Sequence, residues 1–383
     1  MRIKKTSPAR TEGGWASTRE RIEQSAPAAN QSTDIMLEAL DWFENRMGPD
    51  WPGWLDRYPF AGQFFLTYGD RATEGVRLRR LAAALDDGPA LRDVVKRLGG
   101  REWRDYYTAM TELEVAAPMC IAGLAVSLLS PVRGGVPRPD FHVHLCDRVV
   151  ECECTTVLDS DPERMASDVM DRLFFYPRTN RLLKRSVSVR FERHTTGEEA
   201  FRRFSELEQA IVAASVHGRA DKLPGLASVD PIGGTNHLPT VAVQNGLVVG
   251  EIDKPLTQLG RTVRKKIRHG QLDASAPGVL FVRTKDFSVF AADALVAWLE
   301  AIAETVQECL GIAASAVSGV VVYERWRGTP ETRLHLLDDE RVLFASGDEH
   351  GSNRFAVLVR NANAQCPLTK DEADRLVGPS MVW

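Results

Sequence analysis

The sequence predicts an α/β fold, and three observations carry that expectation. Apolar residues recur at helical spacing over 34–47, 89–98, 256–269 and 287–309, whereas 140–157 alternates as strands do. The helical and strand-like stretches alternate loosely along the chain, as α/β and α+β folds require. The chain has 383 residues, 44% hydrophobic and 26% charged, the balance of a folded protein with room for two to three domains.

The elements follow in order. Residues 1–31 are rich in Ser, Thr, Ala, Pro and Gly and are expected to be mobile. From Asp34, a candidate N-cap, Met36, Leu37, Leu40, Phe43 and Met47 mark a helix that Gly48-Pro49 stops. The next stretch holds Trp51, Trp54, Tyr58, Phe60, Phe64 and Phe65, an aromatic-rich core or a set of base-stacking rings. Helical patterns near 70–86 and 89–98 make 32–100 a helical domain or cap, ended by Gly99-Gly100. Glu102 to Ile121 reads as a further helix, and Leu124–Leu129, Asp140–Cys146 and Val149–Val157 as three strands. The middle region, 158–255, carries helices near 162–175 and 197–215 and a strand at Ser186–Arg193. It also carries a hairpin with Asn245-Gly246 at its turn, flanked by Thr240–Val243 and Leu247–Ile252. A helix at 256–269, a strand at Gly278–Val282, a long helix at 287–309 and a set of short strands close the chain.

Composition also excludes. Net charge is −4, which argues against a wholly cationic coat protein but not against a local basic groove. Six Cys are too few for a disulfide scaffold. The longest apolar run, Val115–Leu129, is broken by Pro118 and Gly123 and is too short to span a bilayer. No apolar stretch follows the basic start Met1–Lys5, so a cytoplasmic protein with no membrane partner is expected.

Chemistry concentrates between Arg138 and Thr155. Strand side chains alternate faces, so Phe141, Val143 and Leu145 share one face while Asp140, His142 and His144 share the other. On the next strand Val150, Cys152 and Cys154 oppose Glu151, Glu153 and Thr155. With Asp147-Arg148 as a two-residue loop, Leu145 pairs with Val150, Val143 with Cys152 and Phe141 with Cys154. One side of the hairpin is then apolar, and the other gathers three carboxylates, Thr155 and two His. Such a face is either a solvated acidic surface or a cation site, and oxygen-rich sites favour Mg²⁺ or Mn²⁺. A zinc site on His142, His144, Cys146, Cys152 and Cys154 would need the strand alternation to break.

Arg138-Pro139-Asp140-Phe141 opening one strand and Glu151-Cys152-Glu153-Cys154-Thr155 forming the next resemble the PD-(D/E)XK superfamily, the restriction-endonuclease-like fold. The preceding helix, with Thr111-Glu112-Leu113-Glu114, and the strand Leu124–Leu129 keep that family's order. Val263-Arg264-Lys265-Lys266-Ile267-Arg268 and Pro277–Val282 look like its later helix and last core strand. The resemblance covers roughly 102–157 and 256–283. It implies an αβββαβ core within residues 101–383, with an N-terminal helical region, an insertion at about 158–255 and C-terminal strands. It implies a metal-dependent nuclease in which Glu112, Asp140 and Glu153 hold Mg²⁺ or Mn²⁺, with Glu114 a competitor for the helix position. It also implies a nucleic-acid partner, DNA in preference to RNA.

The family's motif Lys is absent. Thr155 stands in its place after Glu153, and Thr carries no charge to orient an attacking hydroxide. Lys266 on the later helix is the candidate replacement. The alternatives are a metal centre that suffices without it, or a degenerate fold that binds nucleic acid or a partner without cutting. Two basic clusters suit a phosphate backbone or are solvated helix faces. Residues 178–203 hold eight bases, among them Arg181, Lys184 and Arg185, against three acids. Residues 261–268 hold Arg261, Arg264, Lys265, Lys266 and Arg268 with no acid. The helical region and the insertion would shape the substrate groove or a homodimer contact.

Overall fold

The computed structural model describes residues 15–25, 32–49, 74–100, 103–130, 138–145, 148–157, 165–166, 169–170, 172–173, 183–232, 240–244, 247, 255–284, 292–311, 316–326, 341–347 and 353–377. The chain divides into two compact units, residues 1–158 with 256–383, and residues 159–255. The fold is mixed α/β with two sheets. No helix among the described residues is long and apolar enough to cross a membrane.

Among its described residues the first unit opens with five helices: α1 (Trp15–Ser25), α2 (Thr33–Met47), α3 (Glu74–Ala83), α4 (Pro89–Leu98) and α5 (Trp103–Ile121). Strands β1 (Ala125–Leu128), β2 (Phe141–Leu145) and β3 (Arg148–Thr156) follow as an antiparallel meander. After the second unit come α8 (Pro255–His269), β8 (Gly278–Arg283), α9 (Ala292–Leu310), β9 (Gly319–Trp326), β10 (Arg341–Gly347), β11 (Asn353–Arg360) and α10 (Lys370–Val377). The sheet runs β1-β2-β3-β8-β9-β11-β10, with β8 parallel to both β3 and β9. The second unit carries β4 (Val187–Phe191), α6 (Gly197–Arg202), α7 (Phe204–His217), β5 (Asp221–Leu223), β6 (Ala227–Pro231) and β7 (Val241–Gln244). Its sheet runs β5-β6-β4-β7 and has a core of its own around Val189, Phe191, Leu207 and Ile211.

Both faces of the large sheet are covered where β3, β8 and β9 meet. One face sets Phe141, Val143, Cys152, Cys154, Phe281 and Val321 against α5 and the helices before it. The other sets Leu280, Val282, Val320 and Val322 against Leu259 and Val263 of α8 and Leu299, Ile302 and Val306 of α9. Helix α5 is buried all round from Ala109 to Met119, because the sheet lies on one side and α3 and α4 lie on the other.

Several expectations need correction. The β2–β3 register is Leu145 with Arg148, Val143 with Val150 and Phe141 with Cys152, two residues from the pairing that an Asp147-Arg148 loop gives. A two-residue slip preserves the faces, so the apolar and polar sides of the hairpin stand as expected. Residues 15–25 form a helix within the segment expected to be mobile: Trp15 and Ile22 are buried, and Trp15 Nε1 donates to Gly48 O at 2.8 Å. The cap before α2 is Ser32 and not Asp34. Residues 32–100 are no separate domain, since Phe43, Leu78 and Val95 share one core with the sheet. The helix expected over 197–215 breaks at Arg203 into α6 and α7. Strands β5 and β6 and helix α10 had no expectation. Residues 51–73, with their aromatic cluster, and nearly all of the return strand of the Asn245-Gly246 hairpin lie outside the described residues.

Phe141 and Phe281 stack beneath α5 with ring centroids 6.2 Å apart, and neither is exposed. Phe281→Ala should destabilise this unit by ~3–5 kcal/mol in chemical denaturation, the loss typical of an aromatic deleted from a packed core. Phe281→Leu, which keeps most of the volume, should lose less.

Candidate active site

The acidic centre begins where β2 begins. Pro139 has no N–H to extend the ladder, and Asp140 is the last residue before the strand. Its own N–H reaches Cys152 O at 2.9 Å, and its Oδ2 accepts the Cys154 N–H of β3 at 2.6 Å. The carboxylate thus completes the backbone bonding that β2 leaves off. Glu153 stands beside that amide on β3 and is 2% exposed. Its face is covered by α8, where the sequence pattern alone left open a solvated surface.

Lys266 reaches this face from α8. Its Nζ donates to Glu153 Oε1, and to Gln271 Oε1 at 3.2 Å. The loop that follows α8 is tied back to the sheet, because Glu151 Oε2 accepts the Asp273 N–H at 2.6 Å. Glu151 therefore holds the loop, and Glu153 is the carboxylate that enters the centre. Thr155 is buried two residues further along the same face, opposite Val282. The second oxygen of Glu153, Oε2, is buried and no protein donor is bonded to it; a proton on Asp140, a water or a cation would satisfy it.

Glu112 comes from α5 and is 2% exposed. Arg97, in the last turn of α4, grips it with two bonds of 2.6 Å, Nη1 to Oε1 and Nη2 to Oε2, while Nε reaches Asp93 at 3.0 Å. Burial pushes the Glu112 carboxyl up to about 7, and Asp140 adds to the rise. The Arg97 guanidinium is itself shifted upward beside Glu112. Burial asks for a neutral acid here and Arg97 for a carboxylate. The geometry decides for the ion pair, because two donors on two oxygens need both oxygens to accept.

The three carboxylates feel one another. Burial first, then the charge of Glu153, raises Asp140 to about 7, against the Cys154 N–H, Lys266 and Arg97. Burial likewise raises Glu153, with Glu112 adding to the rise and Lys266 opposing it. As the side chains stand, no group of three or more His, Cys, Asp and Glu among the described residues is gathered closely enough to hold a metal ion. Arg97 on Glu112 and Lys266 on Glu153 already occupy that space. Glu114 is elsewhere, paired with Arg77 at 2.6 Å and Arg283 at 3.4 Å. His142 is half-buried and His144 exposed, on the opposite face from buried Cys152 and Cys154, which leaves no zinc set among the described residues; Cys146 lies outside them.

The basic residues separate into two places. Arg264, Lys265 and Arg268, with Arg261, form an exposed stripe on α8 on the side turned away from Lys266: at about 100° per residue Lys265 lies about 100° round the helix from it and the three Arg about 140–160°. They line a cleft of about 740 Å³ against Thr305 and Glu308 of α9. Lys184 and Arg185 belong to the second unit, where both backbone amides donate to Ser215 Oγ, and Arg181 lies outside the described residues. Sequence reasoning missed Arg97 and Gln271. Neither sits in a motif, and Arg97 meets Glu112 only through the packing of α4 on α5.

No protein-family model matches the chain, and no curated protein matches it either.

The raised Asp140 titration has a consequence for stability. Its carboxyl is near 3.8 when unfolded and near 7 when folded, so between those values the folded state binds more protons. The stability that Asp140 contributes is therefore greatest below about pH 4 and falls as pH rises towards 7. In chelator, Asp140→Asn should flatten the decline in melting temperature over that window and leave the variant more stable than wild type at pH 8. An unchanged slope would assign the decline to other groups.

Proposed function

We propose that the first unit is a restriction-endonuclease-like core and that the protein is a divalent-metal-dependent nuclease, acting on DNA in preference to RNA. The order α5-β1-β2-β3-α8-β8, with an antiparallel meander and a last strand parallel to β3, supports the αβββαβ reading. The observation that carries the function is electrostatic. Glu112, Asp140 and Glu153 are three buried carboxyl groups that raise one another's titration, and Arg97 and Lys266 bring only two positive charges to them. The buried Oε2 of Glu153 is the atom left waiting for a cation.

Asp140 and Glu153 would hold the ion. Bound there, Mg²⁺ or Mn²⁺ neutralises charge developing on a phosphate and lowers the pKa of an attacking water. Lys266 supplies the charge that Thr155 lacks: its ammonium reaches the Glu153 carboxylate from α8, where it can orient a water or meet a phosphate oxygen. Gln271 steadies that ammonium, and Glu151 steadies the loop that carries Gln271. The exposed stripe Arg261, Arg264, Lys265 and Arg268 suits a polyanionic backbone, with affinity that falls as salt rises.

A second reading, a nucleic-acid-binding protein on the same fold that does not cut, rests on Thr155 at the motif position and on the Arg97 grip on Glu112. Plasmid DNA, linear DNA and RNA incubated with Mg²⁺ or Mn²⁺ separate the two. Wild type should cut DNA, and Asp140→Ala and Lys266→Ala should each lose on the order of 10²–10³-fold in rate, the scale for removing one charge-stabilising group. Binding without cleavage by wild type and variants alike would sink the nuclease reading.

A further inference from the structure

Arg97 is the least expected member of the centre. It comes from the N-terminal helices, outside the stretch that resembles a nuclease core, yet it takes both oxygens of Glu112. Its Nε is anchored separately to Asp93, one turn back on α4, and the side chain is a quarter exposed. A guanidinium held at one end by its own helix and open to solvent has a second position within reach. A planar fork that fits a carboxylate with two parallel bonds also fits two oxygens of a phosphate diester.

We infer that Arg97 is a displaceable internal counter-ion: it and a divalent cation compete for Glu112, and the guanidinium once released faces the phosphate of the substrate. The inference rests on the proposed metal centre. As long as both Glu112 oxygens accept from Arg97, a cation can join Glu112 only beside a positive charge, whereas Asp140 and the Oε2 of Glu153 accept no bond from Arg97. A cation that takes Glu112 must push a positive charge away, so Arg97 weakens cation binding in the free protein. The same charge is returned to the site when a phosphodiester arrives to receive it. The α3–α4 region then acts as part of the centre, which its burial against α5 already makes structurally inseparable from it.

The test reads cation binding and melting temperature, with activity as a third measure. Wild type, Arg97→Ala, Arg97→Lys, Asp140→Asn and the double variant Arg97→Ala/Glu112→Gln are titrated with Mn²⁺ by calorimetry and melted in chelator and in Mn²⁺. Arg97→Ala leaves Glu112 buried and unpaired, so it should melt lower than wild type in chelator and gain more than wild type from Mn²⁺. Its Mn²⁺ affinity should rise about tenfold or more, or a second ion should bind, while DNA cleavage falls. Arg97→Lys keeps the charge without the fork and should lie between. The double variant should recover stability in chelator and lose the extra Mn²⁺ gain. If Arg97→Ala does not fold, Arg97→Lys alone decides by whether its affinity for Mn²⁺ rises.

If Arg97 is only a structural clamp, its variants bind Mn²⁺ no more tightly than wild type, and the inference is overturned. Should wild type bind Mn²⁺ through Asp140 and cut DNA while the Arg97 variants show no gain, only the inference about Arg97 falls. Should wild type neither bind Mn²⁺ nor cut, the metal centre falls and the inference falls with it.

Discussion

Burying carboxylates is costly unless each has a counter-charge or a hydrogen bond, and the first unit is organised around meeting that cost. Asp140 is satisfied by a backbone amide of β3, Glu153 by an ammonium from α8, and Glu112 by a guanidinium from α4. Each solution fixes one element against another. Asp140 joins the start of β2 to β3, Lys266 fixes α8 over the sheet, and Arg97 fixes α4 on α5. Glu114 repeats the pattern with Arg77 of α3 and Arg283 of β8, so the central helix is pinned by ions on two sides.

That arrangement explains why the N-terminal helices belong to the sheet's unit. Helix α5 has no exposed face between Ala109 and Met119, and two of the residues in that span are Glu. A helix with that sequence can be buried on all sides only if the surrounding elements bring cations to it. The helices before it do so, and their apolar residues join the same core. Their role is structural and electrostatic together.

The same logic bears on the proposed nuclease reading. On that reading the chemistry needs a positive charge beside the third-strand carboxylate, and the backbone position that supplies it matters less than where the charge ends up. Thr155 leaves that charge out of β3. Lys266, from the helix packed on the same face, puts it against Glu153, and the Glu151–Asp273 contact holds the segment that follows.

The sequence by itself determined the order of the elements α5-β1-β2-β3 and α8-β8 in the first unit and the faces of the β2–β3 hairpin. The alternation of Phe141, Val143 and Leu145 against Asp140 and the two His depends only on the strand repeat, and it survives the two-residue error in register. The Pro139-Asp140 pair and the step to Glu153 were singled out by the resemblance, and the strand alternation placed both carboxylates on the polar side of the hairpin. Lys266 was a candidate only by way of the resemblance, and the tertiary structure brought its ammonium to Glu153. Only the tertiary structure decided that the acidic face of β3 is buried, since the same alternation serves a wet surface and a covered one. Only it brought Arg97 to Glu112 and turned Glu114 to other partners. Both helical carboxylates look alike in sequence, and the long-range packing of α3 and α4 on α5 tells them apart.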